Sequence, residues 1–259
     1  MSAKIDKAVE FYNKGEYDKA IDIFSSVSET ENPSAELYNN IGLCYCKKGN
    51  IEKAEDNFLK AIELNPKLPQ VYLNLADIYY KQRDFENGLE LLSQGVYELP
   101  DNMVLRHLLA RFYMEDARLD MAIDELEKIL ETQPENYDAY YDLGKVHFEL
   151  GNYAVAIENF ENVLEYKEDN VWIYYYLAQA YEANDEIDKA ISNYLKAIAR
   201  DDGFYQAYKK VAILFLARGD YEDAIEYFED YVTLGVPQEE INNVNKLIER
   251  IKKKQENER

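Results

Sequence analysis

Apolar and small residues recur along this chain at the spacing of an amphipathic α-helix, in two blocks per repeating unit. In the clearest unit these residues are Tyr38, Ile41, Gly42 and Tyr45, followed by Ala54, Phe58 and Ala61. Steps of three and four residues place each block on one face of a helix, and Gly49 separates the two helices. The pattern predicts a helical hairpin that is too small to bury its own apolar face and therefore needs neighbours.

The same pattern returns seven times at a constant period, without an insertion or a deletion. A small residue recurs at one position of each second helix: Ala20, Ala54, Gly88, Ala122, Ala156, Ala190 and Ala224. Four residues later comes a large apolar residue: Phe24, Phe58, Leu92, Leu126, Phe160, Tyr194 and Phe228. The period predicts seven hairpins, at residues 1–34, 35–68, 69–102, 103–136, 137–170, 171–204 and 205–236.

A last amphipathic helix is predicted at residues 237–259, with a frayed end from Gln255. Its apolar stripe consists of Ile241, Val244, Ile248 and Ile251. We expect this stripe to cap the seventh hairpin, because an array of repeats otherwise ends in an exposed apolar face. The alternative is that the stripe pairs two chains.

The 34-residue pattern resembles the tetratricopeptide repeat, whose signature W-x2-L-G-x2-Y…A-x3-F…P is matched at nearly every position over residues 1 to about 236. Tyrosine replaces the tryptophan, and Glu168, Asp202 and Val236 stand where the closing proline is usual. The resemblance implies an all-α fold, a right-handed superhelical α-solenoid of antiparallel helix hairpins. It also implies a concave groove in which extended peptides or partner helices lie.

Two hairpins depart from the pattern. The third carries Gly88 and Gly95 inside its second helix, and each is expected to cost about 1 kcal/mol relative to alanine. The fourth has Arg106 where most hairpins have tyrosine, and Ala117 where four of them have a helix-ending glycine. Either the neighbouring hairpins tolerate these weaker units, or residues 85–118 form a flexible joint between two halves of the chain.

The candidate binding face follows from the helical wheel. In each first helix the packing residues occupy positions 4, 7, 8 and 11, which leaves positions 2, 5, 6, 9, 12 and 13 on the opposite side. The resemblance implies that these positions line the concave groove. The candidate residues are Asn40, Asn74, Arg111, Tyr141, Lys145, Phe148, Trp172, Tyr175, Tyr176, Gln179, Lys209 and Lys210.

The aromatic members of this set lie in the fifth and sixth hairpins. Large aromatic residues on a face that the repeat itself does not use predict apolar anchoring of a partner, with the lysines orienting an acidic residue. The alternative is that curvature or the folded-back tail helix covers them. Asn40 and Asn74 form two rungs of an asparagine ladder, an arrangement that holds a peptide backbone in one subtype of the family.

A second subtype of the family binds the acidic tails of chaperones through a two-carboxylate clamp of Lys, Asn and Arg. The corresponding residues in the last three hairpins are Tyr141, Lys145, Tyr176, Gln206 and Lys210, which supply only fragments of that set. A co-chaperone role is therefore not expected.

The chain is strongly acidic, with 51 Asp and Glu against 29 Lys and Arg and a formal charge of −22. Binding to nucleic acid or anionic lipid needs a basic surface, so neither is expected. The sequence has no apolar run of about 18 residues, and Met1 leads directly into a charged repeat. We therefore expect no membrane insertion and a cytoplasmic location.

Catalysis has little support in the sequence. His107 and His147 have no cysteine or second histidine at ligand spacing, and no phosphate-binding loop or nucleophile elbow occurs. Cys44 and Cys46 point to different sides of one helix, so no shared metal or disulfide is expected. The favoured interpretation is a non-catalytic adaptor, without cofactor or metal, that binds a protein or peptide and is a monomer or a homodimer. A self-associating scaffold is the alternative, and an enzyme is the least favoured class.

Overall fold

The computed structural model describes residues 2–30, 33–166 and 170–258, and within them it has fifteen α-helices and no strand. The predicted all-α class is confirmed. The helices are α1 Ser2–Asn13, α2 Tyr17–Thr30, α3 Ala35–Lys47, α4 Ile51–Leu64, α5 Pro69–Gln82, α6 Phe85–Glu98, α7 Met103–Glu115, α8 Leu119–Thr132, α9 Tyr137–Glu149, α10 Tyr153–Tyr166, α11 Val171–Ala183, α12 Ile187–Arg200, α13 Tyr205–Arg218, α14 Tyr221–Thr233 and α15 Gln238–Glu258. The expectations at Glu168 and Arg259 lie outside the described residues.

The turn inside each hairpin closes its first helix with a residue of positive φ. Glycine takes this conformation in four hairpins, for example Gly49 at φ +75°. Arg83, Ala117 and Asp185 take it in the other three, at φ values of 58°, 56° and 62°. The same turn is therefore built with and without glycine.

The chain forms two compact units, Met1–Thr132 and Gln133–Arg259. In the first unit α1 to α8 pack in chain order, each helix on the next, around two clusters of buried apolar residues. In the second unit α9 to α15 do the same. Residues 85–118 lie wholly inside the first unit, and their flexibility stays a prediction.

The two unusual glycines of the third hairpin are sites of close packing. A Cβ added to Gly88 would overlap the ring of Phe112, and one added to Gly95 would lie 2.9 Å from the ring of Tyr72. Gly42 receives the ring of Phe58 in the same way, with a Cβ at 2.6 Å. These glycines therefore weaken the helix locally but allow a ring from another helix to approach.

Arg106 replaces the tyrosine that most hairpins have at this position, and a second replacement, Glu125, accompanies it. Its guanidinium forms an ion pair with the Glu125 carboxylate, and both side chains are only 13% exposed. Glu125 stands at position 23 of its hairpin, where the second, fifth and sixth hairpins have Asn together with Tyr at position 4. The fourth hairpin thus replaces a Tyr and Asn combination with a buried ion pair. Arg106 also donates to the Pro100 carbonyl at 3.1 Å.

The last helix, α15, packs on the seventh hairpin as a cap. Val244, Ile248 and Ile251 are buried in one cluster with Phe228 and Tyr231 of α14. Because the apolar stripe is already covered within the chain, pairing two chains through it requires this packing to be undone. The helix continues to Glu258, beyond the point where a frayed end was expected.

A polar contact adds to this cap. Glu240 in the first turn of α15 accepts hydrogen bonds from the Tyr231 hydroxyl and from Lys209 of α13, the latter at 3.2 Å. The bond from Tyr231, followed by that from Lys209, lowers the pKa of Glu240 below its ordinary value near 4.5. One carboxylate therefore joins three helices, and it does so in its charged form.

We predict that Gly88→Ala destabilises the chain, although alanine is the better helix former. The added methyl group must displace the Phe112 ring, and such overpacking costs about 1–3 kcal/mol, against about 1 kcal/mol gained in helix propensity. Urea unfolding measures the difference. The matched variant Gly88→Ala, Phe112→Leu should recover stability relative to Phe112→Leu alone. A stabilised Gly88→Ala single variant would show that the glycine is only a weak point of the helix.

We predict that Arg106→Tyr and Glu125→Asn each lower the free energy of unfolding by about 3 kcal/mol, because each leaves a buried charge without its main partner. The double variant recreates the combination found in three other hairpins and should recover most of the loss. Lys128→Ala is the control, since Lys128 pairs with the same carboxylate but is 51% exposed. If the double variant lost as much free energy of unfolding as the two single variants together, the two side chains would not be stabilising each other, and the prediction would be wrong.

We predict a pH-dependent stability difference between the wild-type chain and Glu240→Gln. A carboxylate whose pKa is lowered on folding stabilises the fold above its unfolded pKa, and this contribution is lost as the pH falls through the lower folded pKa. The wild-type chain should therefore have the higher Tm at pH 7, and the gap should close below about pH 4.5. Glu239→Gln, an exposed neighbour in the same helix turn, should show no such gap.

Candidate functional site

The candidate residues of the second unit lie on three first helices. Those on α9 are Tyr141, Lys145 and Phe148, those on α11 are Trp172, Tyr175, Tyr176 and Gln179, and those on α13 are Lys209 and Lys210. We call the surface formed by these side chains the aromatic face.

Trp172 is the most exposed aromatic residue of this face. Its side chain is 46% exposed, although three other rings surround it. The ring centroids of Phe204, Tyr175 and Tyr176 lie 4.9, 6.0 and 6.1 Å from that of Trp172. Phe204 is only 5% exposed and meets the indole edge-on, at 83°. The indole is thus held in place on a buried ring while much of its surface faces solvent.

Tyr141 and Tyr176 pack against the core rather than facing solvent. Their rings lie 5.8 Å apart and both pack against Phe160 of the core, which stacks on Tyr176 at 6.0 Å. Burial, followed by the nearby Tyr176 hydroxyl, raises the pKa of Tyr141, so its hydroxyl stays protonated. The Lys145 ammonium lies 5.5 Å from the Tyr141 ring centroid.

The expectation that the repeat does not use this face is therefore wrong for four of its aromatic residues. They are half-buried and pack against the core of the second unit: Tyr141, Phe148, Tyr175 and Tyr176. Tyr175 contacts Tyr194 and Phe204, with ring centroids 5.5 and 5.2 Å away. These rings close the hairpins and support Trp172.

Phe148 and Gln179 lie at the margin of the aromatic face. Phe148 packs on Tyr153, the first residue of α10, with the ring centroids 5.5 Å apart. Gln179 is half-buried on α11, two turns beyond Trp172. The structure places both on the predicted helices, but Phe148 turns towards its own hairpin.

The two lysines of α13 already have carboxylate partners. Lys210 contacts both oxygens of Glu182 at 3.0 and 3.1 Å, and Glu182 also accepts from the Tyr194 hydroxyl at 2.7 Å. Burial, followed by this bond to Glu182, raises the pKa of Tyr194. Lys209 is held by Glu240, as described above. The predicted role of these lysines as partners for an incoming acidic residue therefore requires these ion pairs to open.

The tail helix covers only one end of the aromatic face. Leu216 of α13 packs into the cluster formed with α15, and Lys209 contacts Glu240. Trp172 stays 46% exposed with α15 in place. Coverage by the folded-back tail therefore does not explain the exposed tryptophan.

The remaining candidates belong to the first unit. The Asn74 amide donates to the Oδ1 atom of Asn39 at 2.8 Å, so one rung of the predicted ladder is bonded to the preceding repeat. Asn40 is half-buried and Arg111 is exposed. These residues form no cluster comparable to that around Trp172.

Phe204 is the supporting residue that sequence reasoning missed. It stands at position 34 of its hairpin, where Ser34, Asn102, Asn136 and Asn170 accept a backbone N–H and cap the next helix. Phe204 cannot do so, and α13 starts without a side-chain cap. Losing a cap costs about 1 kcal/mol. A phenylalanine at a capping position could therefore have indicated, from the sequence alone, that this residue packs against something instead of capping the helix.

The described residues contain no cluster of three or more His, Cys, Asp or Glu side chains placed to hold a metal ion. Burial raises the pKa of Cys44 to about 11 and also raises that of Cys46, which disfavours a reactive thiolate. None of the helices described is long and apolar enough to span a bilayer.

Comparison with solved structures agrees with the fold. The C-terminal part of a TPR repeat-containing protein from Cytophaga hutchinsonii has a TM-score of 0.77 and 17% identity, with 93% of this chain and 98% of that chain covered. A tetratricopeptide repeat protein from Parabacteroides merdae has a TM-score of 0.64 and 20% identity, with 95% and 98% covered. YrrB, described as a TPR protein with an unusual peptide-binding site, has a TM-score of 0.60 and 20% identity, with 73% and 97% covered.

Comparison with protein families gives the same result. No curated protein matches the chain. Five family models described as tetratricopeptide or TPR repeats match residues 35–68, 57–90, 80–143, 144–185 and 175–237, which together cover the chain from residue 35 to residue 237. With the helix order and the constant period of the sequence pattern, these matches show that the chain belongs to the tetratricopeptide repeat family.

Proposed function

We propose that this protein is a non-catalytic adaptor that binds a segment of a partner protein on the aromatic face, with Trp172 as its central anchor. Tetratricopeptide repeat proteins generally mediate protein–protein interactions, and the matching family models are those of repeats. The observation that carries the proposal is the exposure of Trp172, 46%, on a support of three packed rings.

The physical reason lies in the entropy of binding. A side chain that is already held by its neighbours loses little freedom when a partner covers it, so most of the buried area contributes to affinity. Exposed tryptophan in a packed setting is the residue type most often found at the energetic centre of an interface. Ile213 of α13, 42% exposed, extends the apolar surface available to a partner.

The charges favour a partner segment with apolar anchors. Lys209 and Lys210 are paired with Glu240 and Glu182, and Lys145 lies over the ring of Tyr141. The formal charge of −22 repels highly acidic segments at long range. Binding is therefore expected to depend only weakly on salt. We further propose that the protein is a monomer, that it is cytoplasmic and that it does not bind nucleic acid.

YrrB supports the proposal only through its fold. At 20% identity the likeness does not transfer the peptide-binding site for which that protein is described. Its description is nevertheless consistent with peptide binding by a chain of this architecture.

The test is a selection of displayed random peptides on the wild-type chain, followed by affinity measurement on variants. Peptides bound at the aromatic face should be enriched in apolar residues and should bind Trp172→Ala at least tenfold more weakly, because the central anchor is lost. Tyr97→Ala is the matched control, since Tyr97 is an aromatic residue of the other unit and 82% exposed. It should leave affinity unchanged.

Circular dichroism must show equal helicity for both variants. Trp172→Ala is suited to this comparison because the indole is largely on the surface, whereas Tyr176→Ala would also remove a ring that stacks on Phe160. Selected peptides that bind Trp172→Ala with full affinity would place the site elsewhere and overturn the proposal.

A further inference from the structure

Lys145 differs from the other two lysines of the aromatic face in its partners. Lys209 contacts Glu240 at 3.2 Å. Lys210 contacts Glu182 at 3.0 Å. Lys145 forms no ion pair with any residue that the structure describes. Within the described part of the chain, Lys145 is therefore the lysine of this face that an incoming carboxylate can reach without opening an ion pair.

The carboxylates nearest to Lys145 along α9 do not neutralise it. Asp142, three residues earlier, is 7% exposed, and Glu149, four residues later, is exposed. Neither pairs with Lys145, although both stand at the spacing of neighbours on a helix surface. The ammonium lies instead 5.5 Å from the centroid of the Tyr141 ring. Contact with a neutral ring orients the ammonium but leaves its charge uncompensated.

The ammonium of Lys145 is also accessible. The side chain is half-buried, but its Nζ atom is not among the buried polar atoms that lack a hydrogen-bond partner. Since Nζ makes no hydrogen bond with a described residue, it must be in contact with solvent. A lysine commonly buries its methylene stem and keeps the charged end in water in this way. The charge is therefore available to a partner that lies on the aromatic face.

Three contacts connect Trp172 to this ammonium. The Tyr176 ring centroid lies 6.1 Å from that of Trp172 and 5.8 Å from that of Tyr141. The Lys145 ammonium lies 5.5 Å from the Tyr141 centroid. The ammonium is therefore at most about 17 Å from the indole, a distance that an extended chain spans in about five residues. A segment anchored on Trp172 reaches Lys145 with a residue close to the anchor.

A partner that covers Lys145 must compensate its charge. Burying the ammonium removes it from water, and an unpaired charge is then costly. A carboxylate on the partner offsets this cost with a charge-assisted hydrogen bond. The formal charge of −22 disfavours a run of acidic residues at long range. One carboxylate in contact with Lys145, by contrast, lies well within the Debye length of about 8 Å at physiological salt.

We propose that Lys145 sets the specificity of the aromatic face by binding one Asp or Glu side chain of an extended partner segment, within about five residues of the apolar residue that packs on Trp172. This inference rests on the proposed binding function and names the chemistry of the segment. The apolar anchor contributes most of the affinity, and the ion pair selects among segments that have such an anchor. A single ion pair agrees with the weak salt dependence expected above.

The peptides selected on the wild-type chain provide the test. Among those that bind Trp172→Ala more weakly, an Asp or Glu should recur within about five residues of the apolar anchor. One such peptide, amidated so that it has no terminal carboxylate, is compared with its Gln or Asn counterpart by calorimetry. The wild-type chain should bind the acidic peptide about fivefold more tightly. Lys145→Met, which keeps an unbranched apolar side chain beside Tyr141, should bind both peptides equally.

Two further variants serve as controls. Lys196→Met removes a lysine that also lies over a tyrosine ring of the second unit, 5.7 Å from the Tyr174 centroid, but outside the aromatic face. It should keep the fivefold preference for the acidic peptide. Lys145→Glu should prefer a peptide with Lys at the acidic position, because both charges are then reversed. Circular dichroism must show equal helicity for all variants.

The outcomes separate this inference from the proposed function. Selected peptides that depend on Trp172 but share no acidic residue would overturn this inference alone. A preference for the acidic peptide that survives Lys145→Met would do the same, because another group would then bind the carboxylate. If no selected peptide depends on Trp172, the proposed function and this inference are both overturned.

Discussion

The packing of the hairpins depends on the insertion of an aromatic ring from one helix against a glycine of another. No single hairpin buries its own apolar face, so each must offer rings to its neighbours and space to receive theirs. Phe58 reaches Gly42 and Phe160 reaches Gly144 within one hairpin, whereas Phe112 of the fourth hairpin reaches Gly88 of the third. The partners differ, but the contact is the same. Because such a contact has no spare volume, each ring fixes the distance between two helices.

One departure from the pattern is compensated by a second. Arg106 in place of tyrosine accompanies Glu125 in place of asparagine, and the two side chains satisfy each other. In the third hairpin the buried Tyr72 hydroxyl has no partner among the described residues. Burial raises the pKa of that hydroxyl to about 12.

Sequence reasoning predicted the helices because one constant period repeats the same helical spacing seven times. It also placed Trp172 on an outward-facing side, since the helical wheel needs only the position of a residue within its helix. It predicted that the tail helix packs on the seventh hairpin, which the structure confirms, but not the polar contacts that this packing makes. The pairing of Lys209 with Glu240, far apart in sequence, depends on how α15 folds back. Phe204 was missed because its position is usually a cap, whereas here it supports the indole.

The rings that close the hairpins of the second unit also hold Trp172 outward, and this link between packing and binding is the central claim. Trp172 is the only tryptophan of the chain, so its fluorescence reports on this one surface. The most direct measurement is its emission and its quenching by acrylamide with and without a bound partner segment. The account predicts a blue-shifted emission and at least a twofold loss of quenching on saturation. Emission and quenching that stay unchanged at saturation would contradict it.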